Sequence, residues 1–138
     1  MGEPIDVVGR AHSILDQTRI ILDQVEEGKA NAFRDRIREA DQVFVAGAGR
    51  TGYVALCFAM RLMHLGLQVH VVGDATAPAP TSSDLLLAFS GSGESLSTCE
   101  VAARASGRGI PICAITSRAD SRLGKIADHL LLIPEIPS

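Results

Sequence analysis

A run of five apolar residues, Leu85-Leu86-Leu87-Ala88-Phe89, passes directly into Ser90-Gly91-Ser92-Gly93-Glu94-Ser95 and then into a helical pattern. A strand without a polar position is one buried on both faces, and that calls for a parallel sheet with helices on either side. The junction reads as strand, tight loop and helix start. Two glycines let the backbone turn sharply and approach a ligand closely, and three serines offer hydroxyls. The helix directs its unpaired N–H groups and positive dipole end at the loop. Such a place binds an anion. The Gly-Lys-Ser/Thr ending of a P-loop is missing, so a phosphate monoester fits better than a nucleoside triphosphate. The bland alternative is a flexible connector in which Ser92 or Ser95 caps the helix.

The rest of the chain obeys the same rule. Residues 4–26 space Val8, Ala11, Leu15, Thr18, Leu22 and Val25 three or four apart, which predicts an amphipathic helix opened by Pro4 and broken at Glu27-Gly28. Its apolar stripe, widened by Ile14 and Ile21, is broad enough to cover a neighbouring subunit as well as its own chain. A second short helix is expected over about 30–40. From Gln42 onward, strands at 42–46, 68–72, 84–89, 110–115 and 129–133 alternate with helices from the Gly47–Gly52 turn to about Leu65, at about 95–106 and near 121–127. A long loop, 73–83, separates the second and third strands. Right-handed crossovers then give an α/β fold: a five-stranded parallel sheet of order 2-1-3-4-5, flanked by helices in a flavodoxin-like three-layer sandwich. With 138 residues, 46% of them hydrophobic and 21% charged, one domain spanning 1–138 is expected, with N-terminal helices over 4–40 and an α/β core over 41–133.

Ligands in such sheets bind beyond the carboxyl ends of the strands at the switch point, here between the first and third strands. The two loops there are Gly47–Gly52 and Ser90–Ser95. Together they bring Gly49, Arg50, Thr51, Ser90, Gly91, Ser92, Gly93 and Ser95 toward one crevice. Gly47, Gly49 and Gly52 also satisfy the G-x-G-x-x-G dinucleotide pattern. Against that reading, the one ribose-binding candidate, Asp74, lies beyond Gly73 rather than at a strand end, and Arg50 is bulky inside the turn. A net charge of −3 argues against general nucleic-acid binding. No segment reads as a signal peptide or membrane span. Cys57, Cys99 and Cys113 lack the spacing of a disulfide framework or zinc site, so they are expected to be reduced core residues of a cytoplasmic protein.

Three motifs, Gly47-Ala48-Gly49-Arg50-Thr51-Gly52-Tyr53, Phe58-Ala59-Met60-Arg61-Leu62-Met63-His64-Leu65-Gly66 and Ser90-Gly91-Ser92-Gly93-Glu94-Ser95, closely resemble the 6-phospho-3-hexuloisomerases of the sugar isomerase (SIS) fold. The resemblance runs from about residue 5 to 133 and includes the loop Gly73-Asp74-Ala75-Thr76-Ala77-Pro78. It implies interconversion of 3-hexulose 6-phosphate and fructose 6-phosphate in the ribulose monophosphate pathway of formaldehyde fixation, by a homotetramer built from dimers, with no cofactor or metal. It makes Ser90, Ser92 and Ser95 the phosphate grip, with the N–H groups of Gly91 and Gly93 and with Thr51. Arg50 is then a charged donor to the phosphate or a sugar hydroxyl, or is held by Glu94 or Asp74 instead.

Moving a carbonyl along a sugar needs a base that makes an enediolate and an acid that returns the proton. Glu94 and His64 are the candidates. A helix N-terminus weakens Glu94 as a base. His64 lies about 15 residues along its helix, roughly 20 Å from its own phosphate loop, so it could serve only a neighbouring subunit. The family pattern continues past the last strand with a segment carrying an acidic residue over the site, whereas this sequence ends at Ile133-Pro134-Glu135-Ile136-Pro137-Ser138. Glu135 is not an obvious substitute, because the tail after it is too short to fold back. Two other readings therefore stand beside the isomerase: a non-catalytic sugar-phosphate-binding module, and another SIS aldose-ketose isomerase.

Overall fold

The computed structural model describes residue 2 and residues 4–135. The elements run α1 (Val7–Asp23), α2 (Glu27–Glu39), β1 (Val43–Gly47), α3 (Gly49–His64), β2 (Val69–Val71), β3 (Leu85–Phe89), α4 (Leu96–Gly107), β4 (Ile112–Thr116), α5 (Arg122–Ile126) and β5 (His129–Leu132). The five strands form one sheet of order β2-β1-β3-β4-β5, parallel at every pairing. This is the expected doubly wound order, with strand ends shifted by one or two residues.

The strands carry apolar residues at successive positions because both faces of the sheet are covered. Alternation divides them. Val43, Val45, Leu85, Leu87, Phe89 and Cys113 pack with Phe33 and Ile37 of α2 and Ala55, Ala59 and Leu62 of α3. Phe44, Ala46, Leu86, Ala88, Ile112 and Ala114 face Cys99, Ala102 and Ala105 of α4 and Leu123 of α5. The small residues on α4 let that helix lie close to the strands. Cys99 and Cys113 are buried free thiols, as expected, whereas Cys57 is exposed on α3. Burial pushes the Cys113 thiol up to about 11, Arg36 opposes the shift and Asp128 adds to it. It stays a neutral core group at physiological pH.

The N-terminal region departs from expectation in two ways. Helix α1 starts at Val7 rather than Pro4, capped by Asp6, whose Oδ1 accepts the Gly9 N–H at 3.0 Å. The break falls at Gln24–Glu26, and Glu27-Gly28 lies inside the first turn of α2. There the N–H groups have no helical partner in any case and a carboxylate favours the dipole, so the glycine is tolerated. Helix α1 buries none of its residues on its own chain: Val8, Ile14, Leu15 and Leu22 are all more than 60% exposed.

The β2–β3 crossover carries no helix. Its end is held by the buried Asp84, whose Oδ2 accepts the Thr81 N–H at 2.7 Å and faces the Thr81 hydroxyl at 3.2 Å. Beside it, where a crossover helix would lie, is a mainly apolar cleft of about 570 Å³ between Pro78, Pro80, Phe44 and Val101. Its lining includes no residue of the Gly47–Gly52 or Ser90–Ser95 loops.

On α4, the Thr98 hydroxyl is buried without a hydrogen-bond partner among the described residues. An unpaired buried hydroxyl costs about 1–3 kcal/mol, so Thr98→Val, which keeps the shape, is expected to raise the melting temperature by a few degrees. Thermal unfolding followed by circular dichroism checks this, and a lower melting point would mean the hydroxyl has a partner in solution.

Candidate phosphate-binding site

Strands β1 and β3 are neighbours in register, with Gly47 opposite Phe89, so the loops that follow them start side by side. Each leads straight into a helix. Helix α3 begins at Gly49, with Arg50 and Thr51 in its first turn, after an N-cap position occupied by Ala48, which has no side-chain acceptor. Helix α4 begins after Ser95, whose hydroxyl makes no cap bond either. It lies 3.0 Å from the Ser90 hydroxyl. Ser92 accepts the Glu94 N–H at 3.1 Å. Neither serine therefore caps α4 in the way the connector alternative requires. Two helix N-termini, both lacking a side-chain cap, follow neighbouring strands, α3 on one face of the sheet and α4 on the other, and the first-turn N–H groups and dipole of each favour an anion.

The glycines are where this geometry needs them. A Cβ on Gly52 would sit 2.8 Å from the Gly47 carbonyl oxygen, so only glycine lets α3 press this closely on the end of β1. Gly93 has φ +72° and is packed against Ser121 and Thr116, leaving no room for a side chain. Its N–H donates to the Ser90 hydroxyl at 3.0 Å. Its carbonyl accepts from Leu123 N–H at 3.0 Å and from the Cys99 thiol at 3.3 Å.

The expected site residues take different stations. Ser92, Gly91 and Glu94 are exposed and Ser95 is half-buried. Ser90 is only 1% exposed and lies beneath the loop, its hydroxyl engaged by Gly93 and Ser95. Arg50 is exposed, and among the described residues neither Glu94 nor Asp74 forms an ion pair with it. The Glu94 carboxylate accepts the Arg122 N–H at 3.0 Å, which ties it to the start of α5. His64 is the last residue of α3, exposed, at the opposite end of the helix from Gly49.

Sequence reasoning missed the supports that come from β4. The Gly91 carbonyl accepts from the Ser117 hydroxyl at 2.7 Å, the Ser117 N–H at 2.9 Å and the Thr116 hydroxyl at 3.2 Å. The tail also comes closer than expected: Glu135 Oε1 lies 3.0 Å from the Ser117 hydroxyl, one side chain from the Ser90–Ser95 loop. A Thr-Ser pair at the end of the strand next to a binding loop was the available signal. Among the described residues no cluster of His, Cys, Asp and Glu is placed to hold a metal ion, and no helix is long and apolar enough to cross a membrane.

Residues 36–138 match the SIS domain family. The chain is 40% identical over 129 residues to the 3-hexulose-6-phosphate isomerase of Mycobacterium gastri, covering 94% of this chain and 65% of that protein. It is 37% identical over 124 residues to the 3-hexulose-6-phosphate isomerase of Bacillus subtilis (strain 168), covering 90% and 67%. A crystal structure from Methanococcus jannaschii, for which a molecular function of 3-hexulose-6-phosphate isomerase was inferred, superposes with a TM-score of 0.76. It has 38% identity to this chain, over 81% of this chain and 63% of that one. The chain spans between about half and two-thirds of the length of the curated relatives it matches.

Proposed function

The chain belongs to the SIS domain family, and from that premise we propose that it is a sugar-phosphate isomerase interconverting 3-hexulose 6-phosphate and fructose 6-phosphate. The observation that carries the reading is that the two neighbouring strands at the switch point, β1 and β3, each lead into a helix whose N-terminus has no side-chain cap, with serine and threonine residues in the two loops. The relatives named 3-hexulose-6-phosphate isomerase support the choice of sugar. In this reading the phosphate lies over the start of α4, held by the N–H groups and hydroxyls of Ser92 and Ser95 and the N–H of Gly91, while Ser90 and Gly93 fix the loop from below. Gly49, Arg50 and Thr51 close the other side. Arg50 supplies a charge-assisted bond, the stronger kind.

Fixing the phosphate leaves the carbonyl end of the sugar to a group that takes a proton from one carbon and returns it to the next. Glu94 serves only by leaving the Arg122 N–H. His64 serves only the site of a neighbouring copy. Such a copy also accounts for α1, since a 17-residue helix with an exposed apolar face is marginal in water. The outward face of α3, with Tyr53, Val54, Met60 and Met63 exposed, is a second surface of that kind. We therefore read the protein as a homo-oligomer, a dimer or tetramer, of the cytoplasm, where its three free cysteines stay reduced.

The positions of Glu94 and His64 favour a second reading, in which this chain binds a sugar phosphate without isomerising it. A coupled assay separates the two by following fructose 6-phosphate formed from 3-hexulose 6-phosphate, with binding measured by calorimetry and mass by light scattering on the same preparation. Turnover by an oligomer is expected. Binding without turnover selects the second reading, and a strict monomer with turnover removes His64 from the reaction.

A further inference from the structure

We propose that Ser117 is a positioning residue for the phosphate site: its hydroxyl fixes the Gly91–Ser92 peptide so that the Ser92 N–H is presented to the anion. The proposal rests on the sugar-phosphate reading above. Three donors converge on the Gly91 carbonyl, and two of them, the shortest included, belong to Ser117. In a trans peptide the carbonyl of one residue and the N–H of the next point to opposite sides. Strand β3 lies between β1 and β4, so a Gly91 carbonyl drawn toward the end of β4 turns the Ser92 N–H toward β1. That is the side where Gly49, Arg50 and Thr51 open α3. Rotating this peptide would do more than remove a donor. It would aim a carbonyl oxygen, the negative end of the peptide dipole, at a bound phosphate.

Glu135 supplies a control within the same cluster. Its carboxylate oxygen lies 3.0 Å from the Ser117 oxygen, which itself lies 2.7 Å from the Gly91 carbonyl. A serine hydroxyl has one proton, so it donates to one of these acceptors at a time. The carboxylate competes with the Gly91 carbonyl for it. Replacing the carboxylate by a neutral amide, a weaker acceptor that can also turn its NH2 to the hydroxyl oxygen, frees the proton for the loop, whereas taking away the hydroxyl leaves the peptide to the Ser117 N–H and Thr116.

The test is calorimetric titration of fructose 6-phosphate, and separately of inorganic phosphate, into the full chain and into Ser117→Ala, Ser117→Thr and Glu135→Gln, with the melting temperature of each. Ser117→Ala is expected to weaken fructose 6-phosphate binding about tenfold while melting close to the wild type. Ser117→Thr, which keeps the hydroxyl, should recover most of the affinity, and Glu135→Gln should bind at least as tightly as the wild type. Wild-type affinity in Ser117→Ala, failure of threonine to rescue, or a loss in Glu135→Gln equal to that in Ser117→Ala overturns the role of Ser117 and leaves the sugar-phosphate reading intact. A wild-type chain that binds neither fructose 6-phosphate nor inorganic phosphate overturns that reading and this role together.

Discussion

Gly93→Ala is expected to abolish sugar-phosphate binding and to lower the melting temperature by about 10 °C. Two independent costs combine. The residue sits at φ +72°, where an L side chain costs about 1–2 kcal/mol. An added Cβ would also run into the Ser121 side chain and come within 2.9 Å of the Thr116 hydroxyl, and overpacking of this kind costs about 1–3 kcal/mol. Neither neighbour is free to give way. Ser121 is buried, accepts the Gly124 N–H at 3.0 Å and donates to the Arg118 carbonyl at 2.7 Å, while Thr116 donates to Gly91. The loop must therefore lift from β4 and α5. Lifting it breaks the bonds from Leu123 and Cys99 to the Gly93 carbonyl and moves the N–H groups of the proposed phosphate grip. Thermal unfolding and calorimetry with fructose 6-phosphate check both parts. Wild-type affinity would show that the loop is not the phosphate site.

The sheet was legible because its strands are apolar at adjacent positions, which leaves a parallel, doubly covered arrangement as the economical solution. Val43–Ala46 and Leu85–Phe89 fall in buried central strands as that pattern requires. The order β2-β1-β3-β4-β5 then follows from crossover handedness. The α1–α2 boundary was less legible, because glycine in a first helical turn costs little and Gly28 looked like a breaker. Within the site, residues adjacent in sequence were readable and those joined through space were not. Ser90–Ser95 announces itself, but the Ser117 partner of Gly91 is 26 residues away. The Glu94–Arg122 bond, 28 residues apart, is invisible in the same way, and it changes Glu94 from a free carboxylate into a tie between the loop and α5. That physical difference separates the proposed phosphate grip, whose residues are adjacent in sequence, from a proton-transfer group, which depends on what each acid touches.

Ser90→Ala combined with Ser92→Ala is expected to weaken fructose 6-phosphate binding by about 10- to 100-fold, taking about 1.5–3 kcal/mol for the one bond from Ser92 to the phosphate and about 1.4 kcal/mol per tenfold. The two single variants should fail differently, because the two serines lie on opposite sides of the loop. Ser90 is buried and accepts the Gly93 N–H, so its loss is expected to cost stability by removing a support from beneath the turn. Part of that cost is recovered, since the Gly93 N–H also reaches the Ser90 carbonyl at 3.2 Å. Ser92 is exposed and, among the described residues, its hydroxyl accepts only the Glu94 N–H, so Ser92→Ala should melt within a degree or two of the wild type and lose affinity alone. Calorimetry and thermal unfolding on the three variants give the pattern: affinity for Ser92, stability for Ser90, both for the pair. If the double variant binds as the wild type does, the anion lies elsewhere, and the uncapped starts of α3 and α4 after neighbouring strands are a feature of the fold alone.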